Sequence, residues 1–423
     1  MTRPHRLIAA VALAVSLAGP AAATNGYFAH GYGTIAKGMA GAGTAWSQDA
    51  LAAATNPAGM AFIGDRMDFG VELFSPRRAF TVTGGGPPQP GQFLLRPGRR
   101  NSGSEYFAIP HFGINRTIGT THSLGVSVYA NGGMNTDFGA DFEAGDFSTF
   151  FDGEAGVDMA QLFVAPTWAW RYRPDQAIGV SVLLAAQRFK VKGIGTFAPF
   201  SSDPQRLSNN GYDTSLGWGF QLGWQGQVTE TLRAGLSWRN VVYMQKFDKY
   251  RGLFAEQGDF DIPQMFNAGI AWSGLGNHTL LLDVQHVRYS KINSVGNPLL
   301  PNLFNARLGD DDGAGFGWDD VTAVKLGWQW QQSLKQAWRA GFSHSGQPID
   351  ESEVLFNILA PGVQEWHVSA GFTRTLSDRL ALSGMAFYSP EKKVKGPNPL
   401  GPGQQIELQM HQFGASLSLG WTF

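Results

Sequence analysis

The last residues of the chain, 413–423, constrain its fold more than any other stretch. Phe413, Ala415, Leu417, Leu419, Trp421 and Phe423 fall on one face, and Gly414, Ser416, Ser418, Gly420 and Thr422 on the other. Alternation with period two describes an extended strand with one apolar and one small polar side. The pattern recurs in Leu216, Trp218, Phe220, Leu222 and Trp224 against Gly217, Gly219, Gln221, Gly223 and Gln225. It recurs again in Val324, Leu326, Trp328 and Trp330 against Lys325, Gly327, Gln329 and Gln331. Such strands suit either a soluble sandwich, with the apolar face inside, or a membrane barrel, with the apolar face outside.

Three features favour the barrel. Trp and Tyr gather near strand ends (Trp168, Trp170, Tyr172, Trp238, Trp272, Trp366, Tyr388, Trp421), where interfacial girdles belong, and the chain closes on the aromatic Phe423. The composition, with 55 Gly, 30 Phe, 13 Trp, no Cys and 15% charged residues, suits a chain apolar on alternate residues only. Beyond residue 23 no apolar run approaches the roughly 20 residues of a membrane helix. Third, residues 1–23 read as a cleaved signal peptide: Arg3 and Arg6, the apolar core Leu7 to Leu17, then Ala21-Ala22-Ala23. Without those arginines the chain is mildly acidic, which offers no footprint for nucleic acid.

Connections alternate in length. Short ones fall at 120–122, 174–176, 229–231, 274–276, 333–336 and 377–379; long ones at 83–104, 140–157, 194–212, 251–262, 292–317, 347–361 and 393–405. The expectation is a 14-stranded antiparallel outer-membrane β-barrel over residues 66–423, both termini on the short-turn side. Residues 24–65 are helix-prone and Gly/Ala-rich instead, and read as a small N-terminal helical hatch, or plug. Pro57 disfavours helix at Asn56, whose side chain is then free to bond backbone and hold the plug to the wall. Gly38-x-x-Gly41-x-Gly43 lacks the preceding strand and acidic partner of a nucleotide loop.

Gly31-Tyr32-Gly33 through Asn56-Pro57-Ala58-Gly59-Met60 resembles the hatch of the FadL-type outer-membrane transporters, which take up long-chain fatty acids and other hydrophobic compounds. Ile109-Pro110-His111-Phe112, Ile262-Pro263-Gln264-Met265 and Trp366-His367-Val368-Ser369-Ala370-Gly371 are also similar to that family, in the expected order. The resemblance implies passive, energy-independent uptake by a monomer in the bacterial outer membrane, surrounded by lipid and lipopolysaccharide. No cofactor and no metal are expected, and no enzyme activity.

In the third strand, Gly132 and Gly133 interrupt a regular pattern and mark a bulge or kink. The resemblance implies a lateral hole there, with Asn56, Pro57 and Ala58 anchoring the plug near that gate. It also implies a ligand pocket beside Tyr27 and Phe28 and a basic pair, Arg188 and Lys190, for the ligand's polar end. Those two share the parity of the lipid-facing Ile178, Val180 and Val182, so reaching the ligand requires a register slip or an extracellular extension of the strand. A further basic residue expected near the tenth strand is Asp319 here. Phe197, Pro199, Phe200, Leu253 and Phe254 are candidates for a capture groove in the loops. The acidic Asp310-Asp311-Asp312, Asp319 and Asp320 lack the spacing of a calcium loop and read as solvated charge. The rival readings are a porin for polar solutes and an outer-membrane enzyme; no catalytic motif is present.

Overall fold

A computed structural model describes residues 25–87, 89–139 and 148–423. The expected signal peptide lies outside them. Fourteen long strands form a single antiparallel meander: β1 Arg66–Gly84, β2 Phe107–Ile118, β3 His122–Asn135, β4 Gly156–Arg173, β5 Gln176–Lys192, β6 Asp213–Gln227, β7 Leu232–Arg239, β8 Met265–Leu275, β9 His278–Val287, β10 Val321–Ser333, β11 Gln336–Ser345, β12 Trp366–Thr375, β13 Leu380–Pro397 and β14 Gln404–Thr422. Two shorter segments, Gly98–Asn101 and Tyr243–Met244, extend β1 and β6 among the loops. The first and last strands pair continuously from Arg66–Thr422 to Gly84–Gln404, which closes the barrel. Among the described residues no helix is long and apolar enough to cross a membrane.

Alternation sets which face points where. Leu417, Leu419 and Trp421 are exposed on the outside while Ser416 and Ser418 are buried within. Val324 and Leu326 likewise point out, and Lys325 and Gln329 point in. At the turn end, Tyr172 accepts a hydrogen bond from the Trp224 indole at 3.1 Å, and His278 stacks between Trp328 and Trp330. These groups form an amphipathic belt of the kind that sits at a membrane surface. All six short turns fall where alternation ends. The connection expected over 393–405 is different, because β13 and β14 run on as a hairpin to Pro397 and Gln404.

The N-terminal segment is less helical than its composition suggests. It holds one α turn, α1 at Thr34–Lys37, and 3-10 turns at Ala52–Ala54 and Pro57–Phe62. Glycines break the run where the chain must approach itself: a Cβ on Gly41, whose φ is +85°, would lie 1.8 Å from the His30 carbonyl. What orders the segment is the inward polar face of the barrel. Lys37 pairs with Glu72 on β1, and Thr34 Oγ1 meets Ser416 of β14 at 2.8 Å. The Ala40 amide donates to Ser369 of β12 at 2.8 Å, and Lys325 of β10 donates to the His30 carbonyl at 2.8 Å. Asp283 of β9 accepts the amides of Gly43 and Thr44, each at 2.8 Å. Ser127 of β3 and Ser237 of β7 donate to the carbonyls of Ala50 and Thr55, at 2.6 Å each. The small polar residues of the alternating pattern therefore satisfy a backbone that lacks regular structure of its own.

Candidate functional site

The wall is not paired along its whole height. β2 and β3 are in register from Ile118–His122 to Phe112–Val128, and there the ladder stops. On the loop side of that point β2 pairs only with β1, to Phe74–Phe107. β3 continues against β4 as far as Asn135–Asp158, with a bulge between Ala130 and Gly132. A seam thus opens between β2 and β3, at the glycines that interrupt the third strand. Phe74, Phe107, Ile109, Met385 and Phe387 form an apolar cluster beside it, with Ala130 packed against them.

The free edge of β3 is taken by the first described residues of the chain. Ala29 donates its amide to the Asn131 carbonyl at 3.1 Å, and Gly133 donates to the Tyr27 carbonyl at 3.0 Å. Phe28 and Gly132 face each other in this short antiparallel bridge. Glycine is required at the contact, since a Cβ on Gly132 would lie 1.9 Å from the Tyr27 oxygen.

An aromatic series leads from this bridge into the loops. The Tyr27 ring lies 5.1 Å from Phe28, 5.0 Å from Tyr289, 5.8 Å from Trp318 and 6.0 Å from Phe260. Phe260 is 4.8 Å from Phe254, which is 4.7 Å from Phe189. Phe189, Phe197, Leu253, Phe254, Phe316 and Phe356 help to line a narrow apolar cavity of about 30 Å³ under the loops. A cavity known to hold benzene measures roughly 150 Å³, so a ring-sized ligand enters only if these side chains move aside. A polar row crosses the series beside the bridge. Tyr32 donates to Asn131 Oδ1 at 3.0 Å, Asn131 to Gln161 at 2.8 Å, Gln161 to Gln187 at 3.1 Å, and Gln187 to the Phe260 carbonyl at 2.9 Å. In the loop nearby, burial and the neighbouring Asp259 and Glu256 push the Asp261 carboxyl up to about 7, although it accepts the Met244 amide.

The structure places the sequence-derived candidates unequally. Tyr27, Phe28, Gly132 and Gly133 meet at the bridge, and Phe197, Leu253 and Phe254 line the cavity. Phe200 lies outside that lining, half-buried, and packs on Phe304 at 6.2 Å. For Arg188 and Lys190 no slip intervenes on β5, whose register with β6 is unbroken from Gln176 to Phe189. They keep the outward parity, where Arg188 lies 3.8 Å from Asp158 and both cations stack on Tyr212. Their inward neighbours Gln187 and Phe189 reach the path instead. Asp319 is exposed, while the preceding Trp318 is buried against Tyr27. Asn56 is also displaced from the expected position. Its amide donates to the carbonyls of Thr44 at 2.8 Å and Trp224 at 2.9 Å, tying the segment to β6 near the turn end and away from the seam. Tyr289, Trp318, Phe316, Phe356 and Arg239 were not singled out from the sequence. They come from four separate stretches, and only Arg239, an inward charge ending a barrel strand, carries a local signal.

The sequence matches the family described as outer membrane protein transport protein (OMPP1/FadL/TodX) over residues 14–395. No curated protein sequence matches the chain. Among solved structures, the chain resembles a Pseudomonas aeruginosa FadL homologue at 15% identity and TM-score 0.67, covering 94% of this chain and 100% of that one. It resembles the P. putida toluene transporter TodX at 14% identity and TM-score 0.66, covering 93% and 99%. For the Ralstonia pickettii toluene transporter TbuX the values are 15%, 0.63, 93% and 99%. At these identities the likeness speaks for the fold.

Proposed function

Because this chain belongs to the OMPP1/FadL/TodX family of bacterial outer-membrane transport proteins for hydrophobic compounds, we propose that it takes up such compounds passively and releases them sideways through the β2–β3 seam. The ligand is caught by the aromatic cavity under the loops and passes along the ring series to Tyr27 and Phe28. It leaves between Phe107 and Ala130 into the lipid, while residues 24–65 stay in place as a plug. One observation carries this reading: the wall ladder ends at Phe112–Val128, and the edge of β3 beyond it is bridged at Phe28 by the N-terminal segment. A sideways exit keeps the ligand apolar-solvated, whereas passage through water costs about 0.8 kcal/mol per CH₂. Long-chain fatty acids and monoaromatic hydrocarbons both suit the path, and two of the structurally similar proteins are named toluene transporters. A segment bonded to strands all round the lumen argues against a porin for polar solutes.

The chain has no cysteine, which makes the test direct. Ala130→Cys, capped with a bulky maleimide, is expected to reduce uptake of radiolabelled toluene and of dodecanoate to the level of cells lacking the protein. The same cap on Leu417→Cys, on the lipid face, is expected to leave uptake unchanged. Undiminished uptake through the capped Ala130 variant defeats the lateral route, and rapid sugar flux in liposome swelling defeats the transport reading in favour of a porin.

A further inference from the structure

On the loop side of the apolar band, the wall formed by β13, β14, β1 and the short Gly98–Asn101 segment turns basic on its outer face. Tyr388 and Phe413, both exposed, end the band there. Arg77, Lys393, Lys395 and Arg99 follow on that outer face, since Val82, Val394 and Ile406 of these strands are buried on the inner one. The acidic residues nearby are already matched: Glu105 by Arg77, Glu365 by Lys392 at 2.9 Å, and Glu407 and Glu391 by Lys393 at 2.9 and 3.8 Å. Arg99, beside Asn101 and the Gln409 amide, and Lys395 are both exposed. Among the described residues neither has a carboxylate within ion-pairing distance. The ladder sets their spacing. Lys395 pairs with Glu407, Glu407 with Thr81 and Thr81 with Arg99, so one row crosses three strand steps. At about 4.8 Å per step, the backbones of the two unmatched cations lie about 14 Å apart. Towards the turn end of the same wall, a groove of about 950 Å³ opens on the lipid face, floored by Gly384, Ala386 and Ala415 and flanked by Leu73, Phe372 and Leu417.

We propose that this face docks a phosphorylated glycolipid from the membrane leaflet on the loop side, with its phosphates on Arg99 and Lys395 and an acyl chain in the groove. The two observations are independent, and together they describe one molecule: an anionic head above an apolar tail. Long basic side chains at the rim of the band reach the level of lipid headgroups. The guanidinium fork takes two phosphate oxygens at once, and the ammonium acts as a point charge. The row decides between kinds of lipid. A glycerophospholipid has a single phosphate and meets one of the two cations, whereas a disaccharide with a phosphate at each end meets both. The small side chains of the floor let a chain lie close to the wall, where its contacts add to those of the head. The site is on the outside of the barrel and is separate from the path of the transported compound.

The probes are lipid A with two phosphates, lipid A with one, and dioleoylphosphatidylglycerol, each titrated onto the natural chain in detergent and counted as adducts by native mass spectrometry. Lipid A with two phosphates is expected to bind about tenfold tighter than the form with one, and phosphatidylglycerol more weakly than either. Arg99→Ser combined with Lys395→Ser is expected to remove that tenfold preference. Ala415→Trp, which fills the groove, is expected to weaken lipid A several-fold and to keep the preference for two phosphates. The matched pair Arg188→Ser and Lys190→Ser, on the outward face of β5, is expected to change nothing. Equal affinity for the two forms of lipid A in the natural chain overturns the proposal without any variant. So does a preference that survives the loss of Arg99 and Lys395, or one that falls equally with Arg188 and Lys190. Tighter binding of phosphatidylglycerol overturns the glycolipid, and undiminished affinity in Ala415→Trp overturns the groove.

Discussion

Asn56 places its whole amide on backbone: two donations, to Thr44 and Trp224, and one acceptance, from Ala58 at 3.1 Å. The local reason is the extended backbone at Asn56, φ −148° and ψ 107°, which Pro57 imposes and which points the side chain back over the turn. The wall makes room, since a Cβ on Gly223 would lie 2.0 Å from the Asn56 oxygen. Asn56→Ala is expected to leave two buried carbonyls short of a donor, at about 2 kcal/mol, and to lower the temperature at which the barrel loses its folded mobility on a gel. A second residue-scale effect concerns pH. The folded loop keeps a proton on Asp261 up to pH about 7, while the unfolded loop loses it near 3.8. Its favourable contribution is therefore complete below about pH 4, declines between 4 and 7, and is gone above 7. Limited proteolysis around 240–264 is expected to be slower at pH 5 than at pH 8, and Asp261→Asn should flatten the difference. Of these residues Asn56 was legible as a backbone-binding cap, but its partner on β6 was not. The outward parity of Arg188 was legible too, and the unbroken register of β5 keeps it there.

At the scale of elements, the seam depends on where a ladder stops. Paired glycines announce a break in β3, and the structure puts a bulge at that place. What fills the break was not legible, because a two-residue bridge to Tyr27 and Ala29 leaves no period in either segment. Gly132→Val tests the bridge directly. Its side chain occupies the space of the Tyr27 carbonyl, so residues 27–29 are expected to detach from β3. Proteolysis of the N-terminal segment should then quicken, and leakage of a hydrophobic dye through proteoliposomes should rise; unchanged leakage contradicts the role assigned to the bridge. The loop cavity belongs to the same scale. Phe197, Leu253 and Phe254 stood out as apolar residues in polar loops, whereas Phe189 was hidden within a regular strand. Its alternation marks it as inward, and only the fold shows that inward means towards the cavity at that height.

For the molecule as a whole, period two did most of the work. It separated lipid face from lumen face, and the alternation of short and long connections counted the strands and located all six short turns. The inside of the barrel was less legible, since the same Ser, Gly and Gln residues would suit an open channel or a filled one. The lipid face gives a clean expectation. Leu417→Arg places a cation in hydrocarbon and should cost about 2–4 kcal/mol if the site is near the bilayer midplane, measured by unfolding from lipid vesicles, while Phe423, stacked under Arg116 at the rim, should tolerate polar replacement better. The filled interior also bears on the order of assembly. The segment that leads the chain out is held by side chains of β1, β9, β10, β12 and β14 together. Its binding places come into being only as the final strands are laid down. Residues 25–65, made before any barrel strand, are thus among the last to find their seats, and contacts that span nearly the whole chain predict slow, late docking. A barrel that has failed to close cannot hold this segment, so a well-seated plug reports that the far end of the chain has arrived.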